Sequence, residues 1–320
     1  MTIFQQMTML GKQKEPFLFV IDFEGIQPFI FPLKDIIPSQ IQYVVKEITN
    51  VEKNYSYFPN TFLFEYKQVS FDKYRKDFDK VLMHIFRGDT YLLNLTFRSE
   101  ILTDLSLQEI FYIADSPYKL FVKNKFVCFS PEPFVQIKNG KIFSYPMKGT
   151  INADLPDAER ILLNDAKEMA EHYTIVDLIR NDLSQVANNV RVERFRYIDT
   201  IRTNGKTLLQ TSSEISGDLF IHDLGAIFEK IIPAGSVTGA PKQKTIEIIQ
   251  AIEKKDRGFY TGVFGIFDGE NLYSSVMIRF ISQIGKKMYY HSGGGIVSHS
   301  IAKKEYREMI DKIYLPYSKE

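Results

Sequence analysis

The sequence predicts an α+β fold built from antiparallel sheets and helices, in one large domain or two closely joined ones. Strand-like segments rich in β-branched and aromatic residues alternate with helical patterns of period 3.6. Asn139-Gly140 and Asp268-Gly269 each separate two strand-like segments, a pattern typical of antiparallel hairpins. The 320 residues include 26 Phe and 18 Tyr, which is enough apolar area for a large core.

The expected elements follow one another along the whole chain. Strand patterns cover residues 17–23, 62–66, 91–97, 119–128, 134–138, 141–145, 190–195, 208–214, 260–267, 272–281 and 286–291. Helical patterns cover 71–87, 106–114, 157–187, 222–230, 241–253 and 300–314. No repeat or Pro/Gly-rich linker marks a firm boundary, so we expect 1–70 to be the N-terminal part of the same domain as a main region over 71–320.

Composition excludes several classes of function. A formal net charge of +1 gives no electrostatic reason to expect binding to nucleic acid or to an anionic membrane. No apolar run approaches the length of a membrane span, and the first residues lack a signal-peptide pattern, so we expect a cytoplasmic protein. The single cysteine, Cys128, lies in a strand-like run and is expected to be a buried small hydrophobe.

The segment over residues 146–150, Pro-Met-Lys-Gly-Thr, is the first chemical feature. It follows the strand-like run 141–145, so we expect Pro146 to end the pairing and to place Lys148 at a strand end. A lysine amine in a site that lowers its pKa is a nucleophile, because only the neutral form has a lone pair. Taken alone, the segment also fits an ordinary turn with a solvated lysine.

Two acidic pairs form the second feature. Glu168 and Glu171 lie three residues apart in a helical pattern, and Glu305 and Glu308 repeat the spacing near the C-terminus, with Lys312 one turn later. Paired carboxylates on helices, with room for water and substrate oxygens, suit Mg²⁺ rather than Zn²⁺. The alternative is that each pair belongs to a solvated helix face.

A run of three glycines is the third feature. Residues 293–295 follow the strand-like run 287–291 and offer backbone N–H groups to an anion such as a carboxylate. A phosphate site is not favoured, because the chain has neither of the glycine-rich phosphate-binding motifs between a strand and a helix.

In this order, these units resemble the chorismate-utilising enzyme family. The similarity covers most of the chain and is strongest from about residue 71 to the C-terminus. The matching segments are 88–91, 94–96, 129–132, 146–150, 168–172, 175–183, 233–242, 260–262, 278–279 and 293–297, followed by the helix that carries Glu305, Glu308 and Lys312. The resemblance implies two stacked antiparallel sheets flanked by helices.

Three positions distinguish the branches of that family. Lys148 stands where the branch that forms aminodeoxychorismate has lysine and anthranilate synthases have alanine. Leu92 replaces the lysine base that isochorismate and salicylate synthases have, and the glutamine of many ammonia-using members. Gln210 replaces a histidine associated with pyruvate elimination, and it carries no proton at neutral pH. The expected reaction converts chorismate and ammonia to 4-amino-4-deoxychorismate, on the way to 4-aminobenzoate and folate.

The resemblance also implies roles for individual residues. Mg²⁺ would be held mainly by Glu171 and Glu308, with Glu168 and Glu305 in support. Lys148 would attack C2 of chorismate, and Glu132 would protonate the departing 4-hydroxyl. The residues expected to hold the substrate are Gly149, Thr150, Thr238, Tyr260, Arg279, Gly293, Gly294, Gly295 and Lys312.

The ammonia source is expected to lie outside the chain. Cys128 has no Gly-x-Cys-x-Gly elbow around it, so we expect a separate glutamine amidotransferase subunit to supply ammonia. Three alternatives stay open at this point, namely an anthranilate synthase component I, an isochorismate-type synthase, and a non-catalytic subunit that binds chorismate or serves as a docking partner.

Overall fold

The computed structural model describes residues 1–51, 61–203 and 206–317, which form two nine-stranded sheets with helices around them. The strands are β1 (Phe17–Ile21), β2 (Phe29–Pro32), β3 (Ile41–Val45), β4 (Ile48–Thr49), β5 (Phe64–Lys67), β6 (Leu92–Thr103), β7 (Tyr118–Val122), β8 (Phe126–Ser130), β9 (Pro133–Lys138), β10 (Lys141–Ser144), β11 (Met147–Asn152), β12 (Ala187–Thr203), β13 (Lys206–Leu219), β14 (Gly239–Ala240), β15 (Val263–Phe267), β16 (Leu272–Val276), β17 (Phe280–Ile284) and β18 (Lys287–Ile296). The helices are α1 (Ile3–Lys12), α2 (Phe71–Phe86), α3 (Leu107–Ile113), α4 (Ala158–Asn164), α5 (Ala166–Ser184), α6 (Leu224–Ile231), α7 (Gly235–Thr238), α8 (Lys242–Glu253) and α9 (Ala302–Asp311).

Every named strand pairing is antiparallel, so the predicted α+β class is confirmed. The first sheet has the order β11-β13-β10-β9-β16-β15-β1-β2, and β12 pairs with β13. The second has the order β14-β6-β18-β17-β8-β7-β3-β4, and β5 pairs with β6. Leu18 and Phe264 from the first sheet share one buried apolar cluster with Val45 and Phe126 from the second, so the two sheets stack face to face.

The N-terminal part of the chain contributes to both sheets. Strands β1 and β2 belong to the first sheet, and β3, β4 and β5 belong to the second. The division of the chain near residue 70 stays a prediction. Strand β5, before that position, pairs with β6, after it, so both parts of the chain belong to one sheet.

Local sequence signals explain where helix α2 begins and where the chain turns between β9 and β10. The side chain of Ser70 accepts a hydrogen bond from the Lys73 N–H, which begins α2 at the predicted place. The predicted hairpin between β9 and β10 forms because Asn139 and Gly140 both adopt a positive φ, as a two-residue type I′ turn requires.

None of the helices in the described ranges has the length and apolar character of a membrane-spanning helix.

Three predicted elements are split in the structure. The helix expected over 157–187 is broken at Asp165, whose extended backbone and side-chain bonds to the N–H groups of Lys167 and Glu168 begin α5. The strand expected over 119–128 is a hairpin, because Asn124 adopts a positive φ. The strand expected over 272–281 ends at Val276, and Arg279 has a φ of +51° before β17 begins.

Candidate active site

The lysine segment lies at one edge of the first sheet. Strand β10 ends at Ser144, but β13 is long enough to continue the pairing beyond Pro146, whose carbonyl accepts a bond of 3.0 Å from the Ser213 N–H. Strand β11 then pairs with β13, with a bulge between Lys148 and Thr150 where Gly149 has a φ of +69°. The pairing of β10 ends before Pro146, as predicted, and Lys148 is the second residue of β11, the strand that resumes on the same partner.

Most of the predicted site residues line one cavity of about 280 Å³ between this edge and the second sheet. That volume is close to the lower end of the range for small-molecule sites. The predicted residues in its wall are Glu132, Lys148, Gly149, Thr150, Tyr260, Arg279, Gly293, Gly294, Gly295, Glu308 and Lys312.

Lys148 and Glu171 form the central ion pair. Nζ of Lys148 donates to Oε2 of Glu171 at 2.7 Å, and Nζ of Lys167 is 3.4 Å from the other carboxylate oxygen. Burial lowers the pKa of Lys148, but the charge and hydrogen bond of Glu171, with the charge of Glu308, outweigh it and leave the pKa raised. Burial raises the pKa of Glu171, and the two lysines outweigh that effect and hold it low. Both groups are therefore charged at neutral pH.

The two glutamate pairs lie within electrostatic reach of Lys148 and Lys167. Burial and the neighbouring Glu171 raise the pKa of Glu168, and burial and Glu308 raise the pKa of Glu305. The pKa of Lys167 is lowered by burial but raised overall by Glu171, Glu305 and Glu308, so its ammonium lies within electrostatic reach of both helices.

These carboxylates suit a divalent cation chemically. In the part of the chain that the structure describes, no three Asp, Glu, His or Cys side chains are gathered closely enough to coordinate one ion. Instead, the amines of Lys148 and Lys167 lie among the acids and supply the positive charge. Carboxylate oxygens on two helices are the type of donor that Mg²⁺ takes, so the fit is one of ligand chemistry.

Glu132 occupies the short link between β8 and β9 and lines the same cavity. Burial raises its pKa, and the charges of Lys148 and Arg279, with a hydrogen bond from Ser236, offset only part of that effect. This carboxyl group therefore keeps its proton to a higher pH than an exposed glutamate would. A buried carboxyl group that retains its proton is suited to general acid catalysis.

Cationic and N–H donors make up the opposite wall. Arg279 has a left-handed backbone directly before β17 and lines the cavity, and its Nε is buried without a hydrogen-bond partner among the described residues. Nζ of Lys312 donates to the Gly293 carbonyl and to Glu308, each at 2.9 Å. Because the carbonyl and N–H of a residue in an antiparallel strand point to the same side, the Gly293 N–H also faces away from β6.

The glycine run does not follow a strand, as the sequence suggests, but forms part of β18. A Cβ atom on Gly293 would stand 2.5 Å from the Leu95 carbonyl oxygen, so glycine lets β18 approach β6 closely. Beyond His291, β18 has no strand partner among the described residues on the side of β17, which leaves that edge of the glycine run open toward the cavity.

Thr238 is the one predicted substrate residue that the structure places outside the cavity wall. Its side chain is fully buried, and its hydroxyl donates at 2.8 Å to the carbonyl of Ala234, the residue before α7. Ser236 and Val237 of the same segment line the cavity instead.

Sequence reasoning missed several other wall residues. Ser236 lies in a segment that was matched to the family, and Ser292 directly precedes the glycine run, so both positions carried a signal. Gln210 lines the cavity beside its strand partner Thr150. Leu92 lies apart from that wall, and its side chain packs near Gly295 and offers no base.

His172 connects α5 to the sheet behind the site. Its Nε2 lies 2.6 Å from the Ser213 hydroxyl, and Ser213 also accepts the Arg196 N–H at 2.9 Å. Burial, with the positive charges of Arg196 and Lys148, lowers the pKa of His172 to about 4. The neutral ring therefore anchors the helix that carries Glu168 and Glu171.

Comparison with known proteins identifies the class to which this fold and site belong. The family model described as chorismate binding enzyme matches residues 35–317, so the chain belongs to that family. The resemblance inferred from the motifs is confirmed.

Three individual proteins show how far the similarity extends. A protein of Haemophilus influenzae named "Uncharacterized PabA-like protein" is 50% identical over 98% of this chain and 95% of its own length. Aminodeoxychorismate synthase component 1 of Bacillus subtilis is 31% identical over 76% of this chain, which spans 54% of that protein. The crystal structure of anthranilate synthase component I from Streptococcus pneumoniae has a TM-score of 0.67 and 26% identity, covering 78% of this chain and 58% of that one.

Proposed function

We propose that this chain acts as an aminodeoxychorismate synthase component I, which converts chorismate and ammonia to 4-amino-4-deoxychorismate and water. The observation that carries the proposal is an amine, Lys148, in the wall of the cavity, held by Glu171 at 2.7 Å and accompanied by the protonatable acid Glu132. The relative from Bacillus subtilis supports the same branch.

The covalent route follows from these three groups. Lys148 has to lose a proton to solvent before it attacks, because its ion pair with Glu171 keeps the amine protonated and Glu171, whose pKa is held low, is a poor proton acceptor. The neutral amine then attacks C2 of chorismate while the ring double bonds shift, and Glu132 protonates the 4-hydroxyl, which leaves as water. Ammonia then attacks C4 with the reverse shift of the double bonds, and the lysine leaves C2.

Glu171 and Glu308, supported by Glu168 and Glu305, would hold Mg²⁺. When bound, the metal would neutralise the substrate's ring carboxylate and polarise the ring. The protein's own contribution is a set of carboxylates on α5 and α9 whose orientation depends on His172 and on the contacts of α9.

The remaining wall would bind and orient the carboxylates of the substrate. Arg279, Lys312 and the open edge of residues 293–295 offer cationic and N–H donors, which is the chemistry that carboxylates need. Gly149, Thr150 and Tyr260 would complete the contacts from the other side. The buried Thr238 would act indirectly, because its hydroxyl bond to Ala234 shapes the segment that presents Ser236.

Ammonia would come from a separate glutamine amidotransferase subunit. Cys128 cannot serve as a glutaminase nucleophile, because its side chain is fully buried and burial raises its pKa. Later conversion to 4-aminobenzoate, for folate synthesis, would need another enzyme.

An anthranilate synthase activity is the second candidate, and the similarity to the Streptococcus pneumoniae protein is the observation that favours it. Lys148 and the non-titrating Gln210 argue against it, and Leu92 argues against activation of water in an isochorismate-type reaction. A non-catalytic chorismate-binding or docking subunit would not require Glu132 and Lys148 in one cavity.

The experiment is an incubation of the purified chain with chorismate, Mg²⁺ and ammonium salt at high pH. We expect 4-amino-4-deoxychorismate, detected as 4-aminobenzoate after a lyase is added, and no anthranilate fluorescence without it. Glutamine should replace ammonium only when an amidotransferase subunit is present. Anthranilate as the main product, isochorismate formed without ammonia, or glutamine-dependent turnover by the single chain would each contradict the proposal.

A further inference from the structure

The hydroxyl of Ser292 is a buried polar group without a hydrogen-bond partner among the described residues. Ser292 lies in β18 directly before the glycine run and is 3% exposed. Its Oγ has no hydrogen-bond partner among the residues that the structure describes. Buried hydroxyls are nearly always hydrogen-bonded, because an unpaired one loses its interactions with water without replacement.

The position of Ser292 in the strand relates it to the cavity. It is one of the residues in the cavity wall, together with Arg279 and Lys312. Side chains two residues apart in a strand share a face, so Ser292 is on the same face as Gly294. A Cβ atom on Gly294 would stand 3.7 Å from Nζ of Lys312, so this face of β18 is the one that Lys312 covers.

A second unsatisfied donor stands in the same wall. Nε of Arg279 is also buried without a partner in the described part of the chain, although an arginine N–H can only donate. Two unpaired donors beside the ammonium of Lys312 leave room for a ligand that supplies acceptor oxygens. A carboxylate is the simplest group that satisfies all of them.

We infer that Ser292 is a further substrate-binding residue whose hydroxyl donates a hydrogen bond to a carboxylate of the substrate, beside Arg279 and Lys312. The inference rests on the proposed function for the identity of the ligand, since it takes that carboxylate to be one of the two in chorismate. In the free protein the hydroxyl is left unpaired, and ligand binding supplies its acceptor.

The chain contains a matched control for a purely structural hydroxyl. Ser99, in the adjacent strand β6, is 1% exposed, and its Oγ likewise has no partner among the described residues. Ser99 is not part of the cavity wall. Removing either hydroxyl deletes the same atom from the same sheet, and only Ser292 should affect the ligand.

The test measures chorismate binding by isothermal titration, with Mg²⁺ and without ammonia. We expect Ser292→Ala to weaken binding roughly tenfold, as loss of a hydrogen bond to a charged group does. Ser292→Cys fills the same space with a weak donor and should bind as weakly, whereas Ser99→Ala should match the wild type. Thermal unfolding of each variant shows that the comparison is between folded proteins.

Binding by Ser292→Ala within about twofold of the wild type would overturn the inference, as would an equal loss in Ser99→Ala. Weak binding by Ser292→Ala with normal binding by Ser292→Cys would also overturn it, because a cavity and not the hydroxyl would then be the cause. Failure of the proposed function gives a different result, in which the wild type binds chorismate and does not convert it with ammonia. In that case the effect of Ser292→Ala on binding would still support the inference.

Discussion

The two walls of the cavity differ in how their polar groups are satisfied. On the wall formed by α5 and β11, Lys148 is already paired with Glu171 at 2.7 Å. On the wall formed by β18 and the residue before β17, Arg279 Nε and Ser292 Oγ are buried without partners among the described residues. Lys312 on the second wall is paired with Glu308 and with the Gly293 carbonyl, but the two partnerless donors on that wall can take the acceptor oxygens of a ligand. We therefore assign chemistry to the first wall and substrate binding to the second.

The largest effect should come from the reacting wall. Lys148→Ala removes the amine, so we expect turnover with ammonia to fall by about 10²- to 10⁴-fold, mainly in kcat, while chorismate binding survives. Lys148→Arg should not restore the rate, because guanidinium stays protonated and cannot attack. Lys34→Ala is the control and should leave turnover unchanged, since Lys34 is an exposed lysine paired with Glu15 and is not in the cavity wall.

Near wild-type turnover by Lys148→Ala would remove the difference between the walls and favour direct attack by ammonia. Release of anthranilate by that variant would instead retain the branch and make Lys148 the gate between two ammonia additions.

The acidic part of the same wall should give the next largest effect. Glu308→Ala removes a carboxylate from the proposed metal site, and we expect kcat to fall by roughly 10²-fold with the fold intact. Glu247→Ala, an exposed acid paired with Lys244 on α8, should have no effect. Full activity in EDTA would contradict the assignment of Mg²⁺, and unchanged kinetics would contradict the part assigned to Glu308.

A smaller effect, and of a different kind, is expected on the binding wall. Arg279→Lys keeps the charge but loses the planar set of donors, so KM for chorismate should rise by about tenfold while kcat changes little. Steady-state kinetics at saturating ammonium measure both constants. A fall in kcat without a change in KM would show that Arg279 belongs with the reacting groups.

The smallest predicted effect concerns stability and pH. The folded protein raises the pKa of Glu132 above its value of 4.5, so the folded state binds the proton more tightly than the unfolded state, and this group costs stability as pH rises above that value. Glu132→Gln should therefore raise Tm at pH 8 by roughly 1–3 °C. The difference should vanish below pH 4.5, where both states are protonated. A lower Tm of the variant at pH 8 would contradict the direction of this pKa shift.

Sequence alone predicted the fold class and most of the cavity wall, because strand and helix periodicity and the motifs are local signals. It could not predict that β13 would continue the pairing past Pro146 and so keep Lys148 inside a strand. Nor could it show that β18 would include the glycine run, since both results depend on the length of a distant partner strand. Helix α1, with its Thr2 capping box, was missed although the capping residues are present in the sequence.

The sequence named Thr238 as a site residue and missed Ser292, and this error also comes from contacts that only the three-dimensional structure shows. The motif that contains Thr238 is a correct guide to the segment, but a hydrogen bond to the Ala234 carbonyl takes up the hydroxyl of that residue. Ser292 stands out only when the partners of every buried polar atom are known, which requires the three-dimensional contacts.

The central claim is that Lys148 forms a covalent bond to the substrate. The most direct measurement is the intact mass of the wild-type protein after incubation with chorismate and Mg²⁺ in the absence of ammonia, followed by peptide mapping. We predict an added mass of chorismate minus water, located within residues 146–150, absent from Lys148→Ala and removed by addition of ammonium salt. An adduct on Lys167, or no adduct in a protein that turns over chorismate with ammonia, would contradict the account.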